Sequence, residues 1–444
     1  MQKLRQFFFK YLVYYPAVLI RGEWIWKPLR LLKQSERLPS QAMEELQLKK
    51  VNAILSKAST SKYYHSHKLP NQIRSLIEIQ NIRFLTKEDL RTFSSDLQTR
   101  EKPLFFTTKT SGGSTGAPVT IKKPANAMAQ ELAAAWRGYS WANIQIGDLQ
   151  ARFWGVPMTK SLALRARAID FVAHRIRFSA FQFSKNDLAT YTRKLERAHA
   201  DYFYGYVSMV KELANYLAEF HPGHTIKPKS IITTSEVLNE EDRRKIQDVF
   251  QCKVYNEYGC GEVGTIAHEC EKGSMHINME NILVEIVNEK GDVLPDDQEG
   301  EIVVTDLNNS FMPIIRYRIC DYGSLSSKPC PCGRTLKVLN SVKGRAYDFI
   351  ENENGEKFHG EFFLYIVEEA KSIGIRVDGV QFVLESGQLK INLVATNPFF
   401  DQAKSYIENK LKERFSRKIP ITFNKTEEIP REPSGKLRVI KRVD

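Results

Sequence analysis

Between residues 129 and 307, helix-like periods alternate with short apolar runs at 202–204, 230–233 and 253–255. Such alternation builds a parallel sheet covered by helices, and it narrows the fold more than any other feature of the chain. At Leu283-Val284-Glu285-Ile286-Val287 the pattern changes. A turn around Gly291-Asp292 leads into Glu301-Ile302-Val303-Val304, which reads as an antiparallel hairpin joined to the α/β layer. Up to about residue 98 helical periodicity dominates, with Leu46, Val51, Leu55, Tyr63 and Tyr64 as inward candidates. Beyond 343–345 the chain reads helix (360–371), strand (377–384), strand (388–394), helix (400–415) and strand (419–423). That stretch is long enough to fold by itself. With 444 residues the chain is too long for one ordinary core. The expected fold is α/β with α+β: a large multi-layer N-terminal domain over 1–342, a hinge at 343–345, and a small C-terminal domain over 346–444.

The net charge of +13 invites a nucleic-acid or membrane-surface reading. Lysine and arginine are spread widely, however, and no zinc-finger, helix-turn-helix or RNA-binding signature accompanies them, so no nucleic acid is expected. A pocket for anionic ATP or CoA, or an anionic membrane, explains the field equally well. The arm formed by residues 1–37 interleaves Lys3, Arg5 and Lys10 with Phe7-Phe8-Phe9 and an apolar run from Tyr11. That run is about half the length needed to span a bilayer, and Pro16 interrupts it. Two readings stand: an amphipathic arm packed on the protein's own surface, or peripheral attachment to anionic lipid. Six cysteines without a signal-peptide pattern point to a reducing compartment. The expected location is cytoplasmic, with the inner membrane face as the peripheral alternative.

Four segments carry chemistry. Thr110-Ser111-Gly112-Gly113-Ser114-Thr115-Gly116 combines glycines, which let N–H groups turn toward an anion, with hydroxyl donors: a phosphate cradle, or a flexible turn. It is not a Walker A loop, because no Gly-Lys-Ser/Thr closes it. Tyr258-Gly259-Cys260-Gly261-Glu262 follows a strand; the ring can face a base and the carboxylate can hold Mg²⁺. Arg316-Tyr317-Arg318-Ile319-Cys320-Asp321 places an acid where it suits ribose hydroxyls, or forms a structural Arg–Asp pair. Ser434-Gly435-Lys436 sets a point charge on a Gly-containing tail, able to reach a phosphoryl or carboxylate oxygen.

In their order and spacing these segments resemble the adenylate-forming superfamily of acyl-CoA synthetases, adenylation domains and luciferases. The likeness is greatest to the phenylacetate–CoA ligase branch and its capsular-polysaccharide-cluster (CapK-like) relatives. Tyr204-Gly205-Tyr206-Val207-Ser208, Thr234-Ser235-Glu236 and Cys330-Pro331-Cys332-Gly333-Arg334 share in it, from about Thr107 to Arg438. The resemblance implies that residues 110–116 embrace the ATP phosphates, that Tyr258 lies along adenine with Gly259 also in the nucleotide-binding set, and that Glu262 binds magnesium. It implies Asp321 on the ribose, Arg345 assisting from the boundary, and Lys436 bridging carboxylate and α-phosphate. It also implies that the small domain rotates between half-reactions. Val119, Gly261, Cys320 and Tyr347 depart from the usual residues at their positions.

The implied activity is attack of a carboxylate on Mg·ATP, giving acyl-AMP and pyrophosphate, then transfer of the acyl group to CoA. An amine acceptor, such as an amino sugar in polysaccharide assembly, is a second reading. A catalytically silent nucleotide-binding or membrane-docking protein is a third. Separately, Cys270 and His276 flank a short turn and Cys330-x-Cys332 lies in the next polar loop. If those loops meet, they form a closed Cys₃His set for structural Zn²⁺, with His268 as a competing ligand.

Overall fold

The computed structural model describes residues 2–111, 119–155, 160–180, 182–343, 349–352, 354, 356–385, 387–416, 418–429 and 440–443. An antiparallel hairpin, β1 (Phe106–Ser111) and β2 (Val119–Pro124), comes first, with Ser111 opposite Val119 and Thr107 opposite Lys123. Next are β3 (Gln150–Trp154), β4 (Arg175–Ser179), β5 (Gln182–Phe183), β6 (Tyr202–Tyr206), β7 (Ser230–Thr234) and β8 (Lys253–Cys260). They are followed by β9 (Gly264–Glu269), β10 (Met275–Ile277), β11 (Ile282–Val287), β12 (Gly300–Asp306), β13 (Tyr317–Leu325) and β14 (Val338–Lys343).

Among the described residues eleven of these strands form one sheet, ordered β11-β12-β13-β14-β10-β9-β8-β7-β6-β3-β4. The half from β4 to β8 is parallel and the remainder antiparallel. Every residue of β6 and β7 is buried, as expected of strands covered on both faces. The helices Lys185–Ala198 and Val207–Phe220 shield one face, and Ala125–Trp141 packs beside β9. Helix starts follow local chemistry: Ser184 and Asp187 form a reciprocal capping box, and Asn239 caps Glu240–Phe250 by accepting from the Asp242 N–H. The hairpin expected around 283–304 is present as β11–β12, with Gly291 at φ +91° in the connecting turn.

The remainder of the chain contains β15 (Phe349–Glu351), β16 (Lys357–His359), β17 (Gly379–Glu385), β18 (Gln388–Val394), β19 (Ile421–Lys425) and β20 (Ile440–Val443). A four-stranded sheet, β19-β18-β17-β20, is accompanied by helices Gly360–Ser372 and Asn397–Arg414. This is the smaller C-terminal unit of the expected fold. The last helix begins three residues before the expected 400, because Pro398 suits the first turn of a helix. The last expected strand is displaced to 421–425, and β20 was not anticipated. The hairpin β15–β16 pairs with β5 of the large domain, and one apolar cluster runs from Phe153 and Phe203 to Phe358, Phe363 and Phe382. Residue 343 ends β14; residues 344 and 345 of the expected hinge lie outside the described residues.

The N-terminal arm is helical from Gln2 to Ile20, with a π-helical middle over Phe8–Tyr14. Tyr14 and Val18 are buried, and Tyr14 Oη accepts from Trp136 Nε1 at 2.8 Å. No described helix is long and apolar enough to cross a membrane.

Candidate functional site

In the hydrogen-bonding order of the sheet, β8 and β13 are separated by β9, β10 and β14. Four steps across a flat sheet would put them roughly 19 Å apart. Yet Tyr258 Oη donates to Asp321 Oδ2 at 2.9 Å, and Tyr317 Oη donates to Glu262 Oε1 at 3.2 Å. The antiparallel half of the sheet therefore curls over, and β13 meets the end of β8 side chain to side chain. Tyr258 and Asp321 are half-buried at this junction, while Glu262 and Tyr317 lie deeper.

Local backbone geometry aims these groups. From Val303 to Glu301 the ladder of β12 advances two residues, while β13 advances four, from Arg318 to Tyr322. The extra residues form a bulge, which turns a side chain out of the regular alternation. Cys320 adopts φ +63° within it, a conformation L-residues seldom take. On β8, a Cβ at Gly259 would run into the Gly264 carbonyl, so glycine permits the tight approach of β9. The structure does not pair Asp321 with either arginine of its motif. Arg316 Nη2 lies 2.9 Å from Glu285 Oε1, and Arg318 pairs with Glu301. Asp321 accepts from Tyr258.

The hairpin carrying the hydroxyl/Gly loop is anchored beside this junction. Buried Lys123 on β2 lies 2.9 Å from both Glu131 Oε2 and Asp306 Oδ2, and donates to the Val263 carbonyl at 2.7 Å, next to Glu262. Lys109 on β1 pairs with the other oxygen of Glu131. Burial disfavours the Lys123 charge, but Asp306 and Glu131 outweigh it and raise its pKa above the ordinary lysine value. Burial likewise pushes Glu131 up, yet Lys123 and Lys109 bring it down to about 2. Gly264, at φ +91°, lies where any Cβ would strike the Glu131 carboxylate. Thr110 is exposed near the end of β1, followed by Ser111. Gly112, Gly113, Ser114, Thr115, Gly116, Arg345 and Lys436 lie outside the described residues.

Beneath the junction, Glu257 is buried among Tyr204, Tyr139 and Arg152. Tyr204 Oη donates to Glu257 Oε1 at 2.8 Å, and Arg152 lies over the Tyr204 ring at 4.8 Å. Burial raises the Glu257 carboxyl to about 6, against the Tyr204 hydrogen bond and the Arg152 charge. Its second oxygen faces His268 Nε2 at 3.5 Å.

Cys270, His276, Cys330 and Cys332 converge, with all four donor atoms within 4.8 Å of one another. His276 Nδ1 lies 3.0 Å from the Leu336 carbonyl, which leaves Nε2 toward the cluster, 3.2 Å from Cys332 Sγ. The N–H groups of Lys272, Cys332 and Arg334 donate to Cys270, Cys330 and Cys332 sulfur at 3.4, 3.4 and 3.5 Å. His268 faces Glu257 and takes no part in the set.

Residues 43–310 match the AMP-binding enzyme family, and residues 350–443 match the CapK C-terminal domain. The chain belongs to the AMP-binding enzyme family. It is 23% identical over 372 residues to Protein CapK of Staphylococcus aureus, spanning 82% of this chain and 80% of that protein. It is 27% identical over 266 residues to a phenylacetate-coenzyme A ligase of Thermus thermophilus, spanning 52% of this chain and 59% of that one. A structure of 2-hydroxyisobutyryl-CoA ligase with 2-HIB-AMP and CoA, in the thioesterification state, superposes with a TM-score of 0.63 at 17% identity. That superposition covers 92% of both chains and shows a shared fold. This AMP-binding enzyme thus stands in the adenylate-forming superfamily, in the branch of CapK and phenylacetate–CoA ligase, and is an AMP-forming acyl-CoA-ligase-like enzyme.

The donor sets of this AMP-binding enzyme fit the metals expected of them. Glu262 offers carboxylate oxygen beside the junction of β8 and β13, a hard donor of the kind magnesium shares with substrate phosphates. Three sulfurs and one imidazole with its tautomer set by a carbonyl suit tetrahedral zinc and leave no open position. Sequence reasoning missed Lys123, Glu131 and Tyr317 as parts of the site. The Lys122-Lys123 pair after the loop was a usable signal for the first; Glu131 lies in a helix that looks like any amphipathic helix.

Proposed function

We propose that the enzyme activates a carboxylic acid as its acyl-adenylate, with release of pyrophosphate, and then passes the acyl group to CoA. The observation that carries this reading is the meeting of Tyr258, Asp321, Tyr317 and Glu262 across the curled sheet, which brings two separate motifs side by side. Tyr258 and Gly259 flank the adenine, and Asp321 accepts from the ribose hydroxyls in exchange for its bond to Tyr258. Thr110, Ser111 and the residues through Gly116 receive the phosphates, and Lys109, Lys123 and Glu131 tie down the β1–β2 hairpin from which they extend. Glu262, oriented by Tyr317, holds magnesium, which when bound neutralises phosphate charge. By the family resemblance Arg345 assists the nucleotide, and Lys436 offsets the charge shared by carboxylate and α-phosphate as the bond forms. No covalent enzyme intermediate is required, so positioning and electrostatics supply the acceleration. Cys270, His276, Cys330 and Cys332 would hold a structural zinc, which would supply a cross-link between their segments.

Exchange of labelled pyrophosphate into ATP, run across a panel of carboxylic acids, tests the first half-reaction. At least one acid should support exchange, and Lys436→Ala should abolish it while ATP still binds. Failure with every acid would overturn the adenylation reading. CoA-dependent release of AMP tests the second half-reaction; acceleration by an amine but not by CoA would transfer the chemistry to amide formation.

A further inference from the structure

The arm helix presents apolar side chains on the wrong side for a segment that merely packs on its own protein. Its inward groups are polar anchors as much as apolar ones: Arg5 Nη2 bonds Asp201 at 2.9 Å and Gln6 Nε2 bonds Asp148 at 3.0 Å, beside Phe9 stacked on His174. Leu4, Phe7, Phe8, Tyr11 and Leu12 point outward, at spacings that place them on one helical stripe. Leu4 is 74% exposed and Leu12 63%.

This stripe continues into neighbouring elements. Tyr11 meets Tyr15, Tyr15 meets Trp26, and Trp26 stacks on Trp24 at 5.3 Å, with both tryptophans exposed. On the other flank Phe9 meets Phe171, itself 60% exposed on the helix Lys160–Val172. An apolar band this broad, edged by indole rings, marks an interaction surface.

Charge selects the partner. Residues 1–37 contain eight Lys and Arg and two acids, Glu23 and Glu36. Glu23 is buried and bonded to Arg21, and Glu36 accepts from Trp141 Nε1 at 3.0 Å. Lys3, Lys27, Arg30 and Lys33 are exposed, and Lys10 lies over the Tyr11 ring at 4.9 Å. Apolar side chains with interleaved cations suit a surface that is oily beneath and anionic above: a bilayer containing acidic phospholipid. Proteins rarely offer that combination over so wide a face. We infer that the arm helix and the Trp24–Trp26 turn dock this enzyme on anionic membrane, lying in the interface without crossing it.

Co-sedimentation of the full chain with vesicles tests this. Protein should pellet with phosphatidylcholine mixed with phosphatidylglycerol, far less with phosphatidylcholine alone, and less as salt rises. Lys3→Gln and Lys10→Gln should each weaken binding about five-fold. Phe8→Ser with Leu12→Ser should weaken it at every salt concentration, with thermal melting unchanged because both side chains are exposed. Equal binding to both vesicle types, or to neither, overturns the inference. So does a concentration-dependent dimer, without vesicle binding, that Leu12→Glu dissolves, since the face would then belong to a second copy of the chain.

Discussion

Tyr258 and Asp321 stand 63 residues apart in the chain, yet the phenol donates to the carboxylate at 2.9 Å. This single bond reports the curl of the sheet. Four strands from β8 along the ladder, Asp321 returns to it because the bulge at 318–322 turns the side chain back. Nucleotide binding would substitute ribose hydroxyls for the phenol. Asp321→Ala should therefore raise the KM for ATP by about ten-fold or more, the loss expected when a hydrogen bond to a charged group disappears. Tyr258→Phe removes a bond to the same charged group at a half-exposed position, so it should cost about 1–2 kcal/mol of stability and leave the melting curve cooperative. An unchanged KM in Asp321→Ala would remove that residue from the pocket.

Lys123 concerns stability more than chemistry. It is enclosed by Glu131, Asp306 and the Val263 carbonyl, so Lys123→Met takes the shared cation from buried Asp306 and leaves part-buried Glu131 with Lys109 alone. Removing one partner of such a set costs about 3–5 kcal/mol, readable as a lower urea midpoint. The acid response should change as well. Glu131, held down at about 2, contributes stability above its ordinary 4.5 that is lost as pH falls toward 2. In Lys123→Met that acid-side loss should shrink, because the carboxyl then keeps only Lys109 to hold its pKa down.

Glu257 predicts the opposite trend. Its carboxyl is raised from 4.5 to about 6 by burial, so it is harder to ionise in the folded chain than in the unfolded one. Below 4.5 both states hold the proton and there is no penalty. As pH rises through 6 the folded state loses about 2 kcal/mol from this group. Glu257→Gln keeps the shape and the bond from Tyr204 without the charge. It should be more stable than the parent near neutral pH by up to about 2 kcal/mol, with the gap closing below about pH 4.5. Equal stability at both pH values would show that this carboxyl imposes no ionisation penalty.

The Cys₃His set predicts one zinc per chain by elemental analysis. Cys330→Ser should lower that content and destabilise the turn joining β9 to β10, and a strong chelator should lower the melting temperature of the parent only. Full stability after complete metal removal would reduce the cluster to ordinary packing of thiols and an imidazole.

Much of this was written locally. Short apolar runs between helical stretches announced β6 and β7, because strands buried on both faces need continuous apolar residues wherever they lie. Of β8 only the start was legible, since its burial is mixed beyond Tyr255. The β11–β12 hairpin was legible for the same reason, with Gly291 to turn it. The strand at 440–443 was not: four residues carry little periodicity, and its partner β17 lies more than fifty positions away. Arg316 and Asp321 share a motif and look like a pair; Glu285, on another strand, claims the arginine. Nothing near Arg316 in the sequence announces Glu285.

By itself the sequence determined the layers and the chemical type of each motif, because period and residue type act over a few positions. Only the tertiary structure decided which motifs meet, which acid each arginine takes, and which face of the arm stays bare. Those outcomes depend on how far a sheet curls and where a bulge falls, and both are sums over contacts between residues far apart in the chain.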